Sequence, residues 1–272
     1  MPLPICRACA TQFAEGEPPA ECPVCADERQ PLIEQRWTTI EELRERHRGD
    51  VREEEPDLLG IGMAPSFAIG QRALLVRSQG GNVLWDCIPL LEDDIVERVR
   101  EAGGIDVIAV SHPHYYSSMV EWADTFDAPI LLHAADREFV MRPDPRIEHW
   151  EGDSRSLWDG MTLVRLGGHF EGGTVLHWPA GAGGRGALLS GDVVQVVPDP
   201  GWVSFMYSYP NLVPLPAHVV ERMARRVRAL RFDRIYGAWW GRVIGQGAWA
   251  AVQRSADRYL AALGSDAEEL EL

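Results

Sequence analysis

The chain has 272 residues and a formal net charge of −15, with 46% hydrophobic and 25% charged residues. That length suits one large domain, or a large domain with a small appendage. The charge sets an acidic surface against phosphate backbones and so speaks against nucleic-acid partners, while the longest apolar runs, such as Ile105–Val110 and Val193–Val197, are too short to cross a bilayer. The opening MPLPICRACA shows no basic region followed by an apolar run, so the expected location is the cytoplasm.

Residues 1–30 hold four of the five cysteines and few large apolar side chains, too little apolar surface to fold unaided. Cys6-x2-Cys9, a twelve-residue loop and Cys22-x2-Cys25 have the spacing of a closed four-thiolate site. Each Cys-x-x-Cys wraps half of one ion, and four protein ligands shut out substrate. The expectation is a structural zinc ribbon, with a rubredoxin-like iron site as the alternative, whose role is folding or docking of a protein partner or second copy. Residues 31–57 read as a short helix and a linker. Thr39 and Glu42 form a capping-box pattern, and the charged run Arg48–Asp57 looks like a tether.

From residue 58 to the end the pattern is that of one α/β domain. Ser66–Ile69, Ala73–Arg77 and Asn82–Cys87 read as strands, with a turn at Gly80-Gly81. A helix over Leu91–Ala102 precedes a buried-type strand, Ile105–Val110, which runs straight into Ser111-His112-Pro113-His114. A helix, a strand at Pro129–His133 and a helix from Ala134 follow. In the second half, Met161–Leu166 is again a strand and ends at Gly167-Gly168-His169, Thr174–Trp178 follows, and Ala187–Leu189 ends at Ser190-Gly191-Asp192. A helix at Pro216–Leu230, a strand at Arg234–Tyr236 and a helix at Gly247–Leu263 close the chain. Strands and helices in both halves imply two packed sheets with helices outside. The basic run Arg222–Arg231 falls on an amphipathic helix as a solvated face.

The histidines carry the chemistry. His112 and His114 sit two apart beyond a buried strand, where extended backbone points both rings to one side. His169 and Asp192 follow glycines at the ends of two further strands. Three neutral imidazoles on one cation leave an open position, where bound water loses a proton near neutral pH.

Ser-His-Pro-His at 111–114, Gly-Gly-His at 167–169 and Leu-Ser-Gly-Asp at 189–192 resemble successive motifs of the metallo-β-lactamase superfamily, and Trp85-Asp86 is similar to its early structural aspartate. The resemblance spans roughly residues 58–245. It implies a four-layer αββα sandwich with a metal site at one edge of the sheets, His112, His114 and His169 as the first metal's ligands, and Asp192 as the bridging carboxylate. The chain departs from the pattern where Tyr116-Ser117 stands in place of Asp-His, and where Tyr236-Gly-Ala-Trp-Trp-Gly lacks the last histidine. One ion, zinc or iron, is therefore expected in place of two. Asp192 would ligate it or orient water, and the Tyr116 phenol would donate to a developing oxyanion.

The expected function is a metal-dependent hydrolase of a small-molecule ester, thioester or amide-like bond. The alternatives are a mononuclear iron oxygenase or sulfur-transfer enzyme, and a non-catalytic ligand- or partner-binding protein. Ten tryptophans is a high number for this length, and Trp202, Tyr207, Trp239 and Trp240 read as walls of a pocket for an apolar or planar ligand. Cys87 reads as core, Glu121 as a helix-surface residue and His133 as a residue at the same strand edge.

Overall fold

The computed structural model describes residues 3–30 and 36–264. Residues 1–2, 31–35 and 265–272 lie outside the described residues; they fall in the expected ribbon, linker and large domain. The chain divides into two compact units, residues 1–151 and 152–272. Among the described residues, no helix is long and apolar enough to cross a membrane.

In the first unit, a two-stranded ribbon pairs Ile5–Cys6 with Trp37–Thr38. The ribbon's second strand thus lies beyond residue 30, inside the stretch read as linker. The first knuckle closes as the Ala10 amide donates to the Cys6 carbonyl, and the second as a short helix, Pro23–Ala26. Phe13 and Trp37 meet edge to face at 5.0 Å, and Phe139 and Met141 of the main body pack against the cysteine cluster. A short helix then spans Ile40–Arg46, where the Thr39 hydroxyl accepts the Glu42 amide as the capping pattern requires.

Seven strands form the unit's main sheet: Arg48–Glu55, Leu58–Ala64, Ala73–Val76, Val83–Trp85, Val107–Ala109, Ile130–His133 and Ile147–Trp150, in that spatial order. The first three pairings are antiparallel. The remaining pairings are parallel, reached through helices such as Asp93–Glu101 and Met119–Phe126.

Two expectations fail in this sheet. Arg48–Asp57 is not a tether: Arg48–Glu55 is an edge strand, where charged side chains face water and discourage pairing with other chains. Glu54 of that strand pairs with the guanidinium of Arg72, which is 1% exposed. Ser66–Ile69 is not a strand but a turn, and the strand before it, Leu58–Ala64, was hidden by its glycines.

The second unit holds a six-stranded sheet: Ser154–Ser156, Thr162–Arg165, Thr174–Trp178, Ala187–Gly191, Arg234–Gly237 and Val243–Ile244, in that order. Pairing is antiparallel except between Ala187–Gly191 and Arg234–Gly237. The helix Ala217–Arg228 buries Val220, Met223, Ala224 and Val227. Its basic face is partly spent on the fold, since Arg226 donates to the Arg165 carbonyl and Arg228 to Gln253. The last helix, Ala248–Ala262, completes this core.

Candidate metal sites

The four ribbon sulfurs, from Cys6, Cys9, Cys22 and Cys25, lie within 4.8 Å of one another. Cys6 and Cys25 are 3.6 Å apart, Cys9 and Cys22 3.8 Å. A tetrahedral ion at about 2.3 Å from each thiolate sets sulfurs roughly 3.8 Å apart, so the cluster already has the dimensions of a four-thiolate site. The fifth cysteine, Cys87, is fully buried, and that burial pushes its thiol well up. It is a core residue.

The histidine turn of the first unit begins where the Val107–Ala109 strand stops. Asp86 adopts a left-handed backbone (φ 62°) that short polar side chains tolerate. Its amide donates to the Ala109 carbonyl at 2.9 Å, and its carboxylate accepts the Ser111 amide at 2.8 Å. Asp86 thereby fixes the loop that carries His112. His112 itself is extended, but Pro113–Tyr115 is a single 3₁₀ turn, not the extended run expected. Proline at the first helical position, its φ preset, favours that turn. The turn still gathers the rings: His112 and His114 are 5.2 Å apart at 75°, and they are 1% and 3% exposed. The Ser111 hydroxyl lies 2.9 Å from His112 Nδ1, and the side-chain amide of Gln30 lies 2.5 Å from His114 Nε2.

Tyr116, 2% exposed, caps the turn. Burial, with the Asp136 charge as a smaller cause, pushes its phenol well above the usual range, so it holds its proton at neutral pH. Asp136 is itself buried, and His133 accepts the Ala135 amide and packs on Trp150. Glu121 is tied up with Arg142 at 2.6 Å.

In the second unit, Gly167 and Gly168 have φ of 71° and 85°, which glycine adopts at little cost. A Cβ on Gly168 would stand 2.6 Å from Met223 Sδ. This close turn delivers His169, 1% exposed, whose Nδ1 lies 2.8 Å from the Tyr207 carbonyl. Asp192 leaves the sheet after a register shift between Leu189 and Gly191, and its carbonyl accepts the Tyr209 hydroxyl at 2.7 Å. The Tyr209 ring lies 5.5 Å from that of His169, so one tyrosine bridges both motifs. Burial and then the Asp192 charge push its phenol well up.

The aromatic residues divide. Trp202, expected on a pocket wall, stacks against Arg258 at 3.5 Å and Arg254 at 5.3 Å, a cation–π arrangement internal to the unit. Tyr207 serves His169 through its backbone. Trp239 and Trp240 are half-buried in the turn between the last two strands. Sequence reasoning missed Gln30 and did not single out Ser111 or Tyr209 as partners of site residues. No motif marks an outer hydrogen-bond partner; only the pairing of strand ends with irregular segments could have raised Tyr209.

Among solved structures the chain is similar to the metallo-β-lactamase DIM-1, with a TM-score of 0.58 and 14% identity over 79% of this chain and 98% of that one. It is also similar to a B3 metallo-β-lactamase with an active-site glutamic acid, with a TM-score of 0.53 and 21% identity over 79% and 89% of the two chains. The fold is that of the metallo-β-lactamases, preceded by a ribbon-like segment that gathers four cysteines. No family model matches the chain. It belongs to the same family as a protein described as "Uncharacterized protein YmaE" of Bacillus subtilis (strain 168), to which it is 48% identical over 271 residues, 98% of each chain.

Proposed function

We propose that this chain is a metal-dependent hydrolase that cleaves an ester, thioester or amide-like bond in a small molecule, with one ion held by His112, His114 and His169. What carries the reading is that one turn gathers the buried rings of His112 and His114 5.2 Å apart, and that a Gly-Gly turn at a strand end delivers a third buried imidazole, His169. A second feature supports it. On each ring one nitrogen faces a hydrogen-bonding neighbour (Ser111 on His112, Gln30 on His114, the Tyr207 carbonyl on His169), the usual arrangement behind a metal-binding histidine.

A divalent ion bound there supplies Lewis acidity, polarising a carbonyl and making water acidic near neutral pH. The protein groups do the rest. The Asp192 carboxylate orients the attacking water and takes up its proton. The Tyr116 phenol donates to the oxyanion that develops on the carbonyl, a role open to it because it stays protonated. Tyr207, Trp239 and Trp240 give an apolar or planar substrate something to lie against. Three imidazoles suit zinc or iron, and four thiolates suit zinc in the ribbon. Thiolates of this kind persist in the cytoplasm, where the reading places the protein.

Metal analysis tests it. The purified protein should hold about two equivalents and a His112→Ala/His169→Ala variant about one, as expected if each site binds its own ion. One equivalent in both would remove the metal-dependent reading and leave a binding protein. Screening ester, thioester and amide substrates with the two-equivalent protein then addresses the bond cleaved.

A further inference from the structure

The contact between Gln30 and His114 crosses 84 positions of sequence, and it joins the ribbon to the turn that carries two of the three histidines. Gln30 ends the tight turn that follows Cys25, its amide donating to the Asp27 carbonyl at 3.0 Å. The same ribbon grips the same histidine turn elsewhere. The Gln12 amide donates to the Ser117 carbonyl at 3.1 Å, and the Gln12 side chain accepts from Arg142 at 2.5 Å, which also holds Glu121. Ring and ribbon are therefore fixed relative to each other by three separate contacts.

We infer that Gln30 is a positioning residue of the histidine site: its amide holds His114 with Nε2 protonated and turns Nδ1 to the metal. This rests on the three-histidine reading above. A glutamine side chain presents its oxygen or its nitrogen by half a turn about its last bond. The contact faces the amide nitrogen to His114 Nε2; after that half turn the oxygen accepts the Nε2–H, and only that tautomer leaves Nδ1 with a lone pair for a cation. His112 is held in the opposite sense, since Ser111 engages its Nδ1. The two rings of one turn would then offer different nitrogens to a cation. Gln30 stands five residues after Cys25, so an ion held by the four cysteines would also keep the amide in place.

Cobalt(II) titration of the metal-free full-length chain tests this, since thiolate-bound cobalt gives intense near-ultraviolet charge-transfer bands that imidazole-bound cobalt lacks. In Gln30→Ala the thiolate bands should be unchanged, while the histidine site's cobalt affinity falls about 10–100-fold. Gln30→Glu, which keeps an acceptor oxygen, should restore it. In the zinc-loaded protein, long-range proton–nitrogen spectra should find His114 protonated at Nε2, and this signature should be lost in Gln30→Ala. Equal affinity in wild type and Gln30→Ala, or a His114 protonated at Nδ1, overturns the role of Gln30 and leaves the metal site standing. A wild type that takes up only thiolate-bound cobalt removes the histidine site itself, and the inference with it.

Discussion

Tyr116 occupies the position where the resemblance would place a metal-binding aspartate, and it brings a phenol in its stead. A buried phenol is a hydrogen-bond donor over the whole neutral range, and its loss removes a donor without removing a ligand. Tyr116→Phe should therefore lower kcat by about 10²-fold, the usual effect of deleting one oxyanion donor, with metal content unchanged on elemental analysis. The same variant has a second readout. Tyr116 and Tyr209 both ionise less readily folded than unfolded. Their stabilising contribution is complete below the ordinary tyrosine value of about 10 and is lost as pH rises beyond it towards the raised folded values. Circular dichroism during alkaline titration should show unfolding of the wild type beginning above pH 10 and displaced upward in Tyr116→Phe; an unshifted midpoint would contradict the assignment.

At the level of elements, the candidate ligands sit where strands stop. His112 follows Val107–Ala109, His169 follows Thr162–Arg165, and Asp192 follows Ala187–Gly191. These positions were legible because ligand chemistry restricts residue type and because glycines punctuate the strand ends. The edge strand Arg48–Glu55 was not legible. Its hydrophobic signal is nearly absent, and what makes it a strand is its partner Leu58–Ala64 rather than its own composition. The partners of Trp202 were not legible for a related reason: the arginines that cover its ring come from a helix some 50 residues on. Gly168 shows how tightly such a strand end is built. Gly168→Ala combines a left-handed φ with a contact on Met223, and should cost about 2 kcal/mol in denaturant melts. It should also loosen metal at the histidine site, read by dialysis against a chelator; unchanged stability would show that the turn can relax.

For the whole molecule, the ribbon reads from sequence as an appendage but is built into the first unit. Its cysteine cluster packs on Phe139, Met141 and Ile69, and Gln12 and Gln30 are bonded to the histidine turn and its neighbours. Removing residues 1–30 should therefore not yield a working core. The expected product is an aggregating or low-melting protein, measured by light scattering and thermal unfolding. A soluble fragment with full histidine-site metal would mean the ribbon is dispensable. None of this interdependence is visible in the Cys-x-x-Cys spacing, which specifies an ion and says nothing about what leans on it.

Four sulfurs around one point also set how the protein meets acid. Each must shed a proton to grip the ion, so below the thiols' own ionisation range the hold weakens by up to about four powers of ten per pH unit, against at most three for a cage of imidazoles. An ion held by the ribbon should therefore lose affinity more steeply per pH unit than one held by imidazoles, as metal titrations at stepped pH would show.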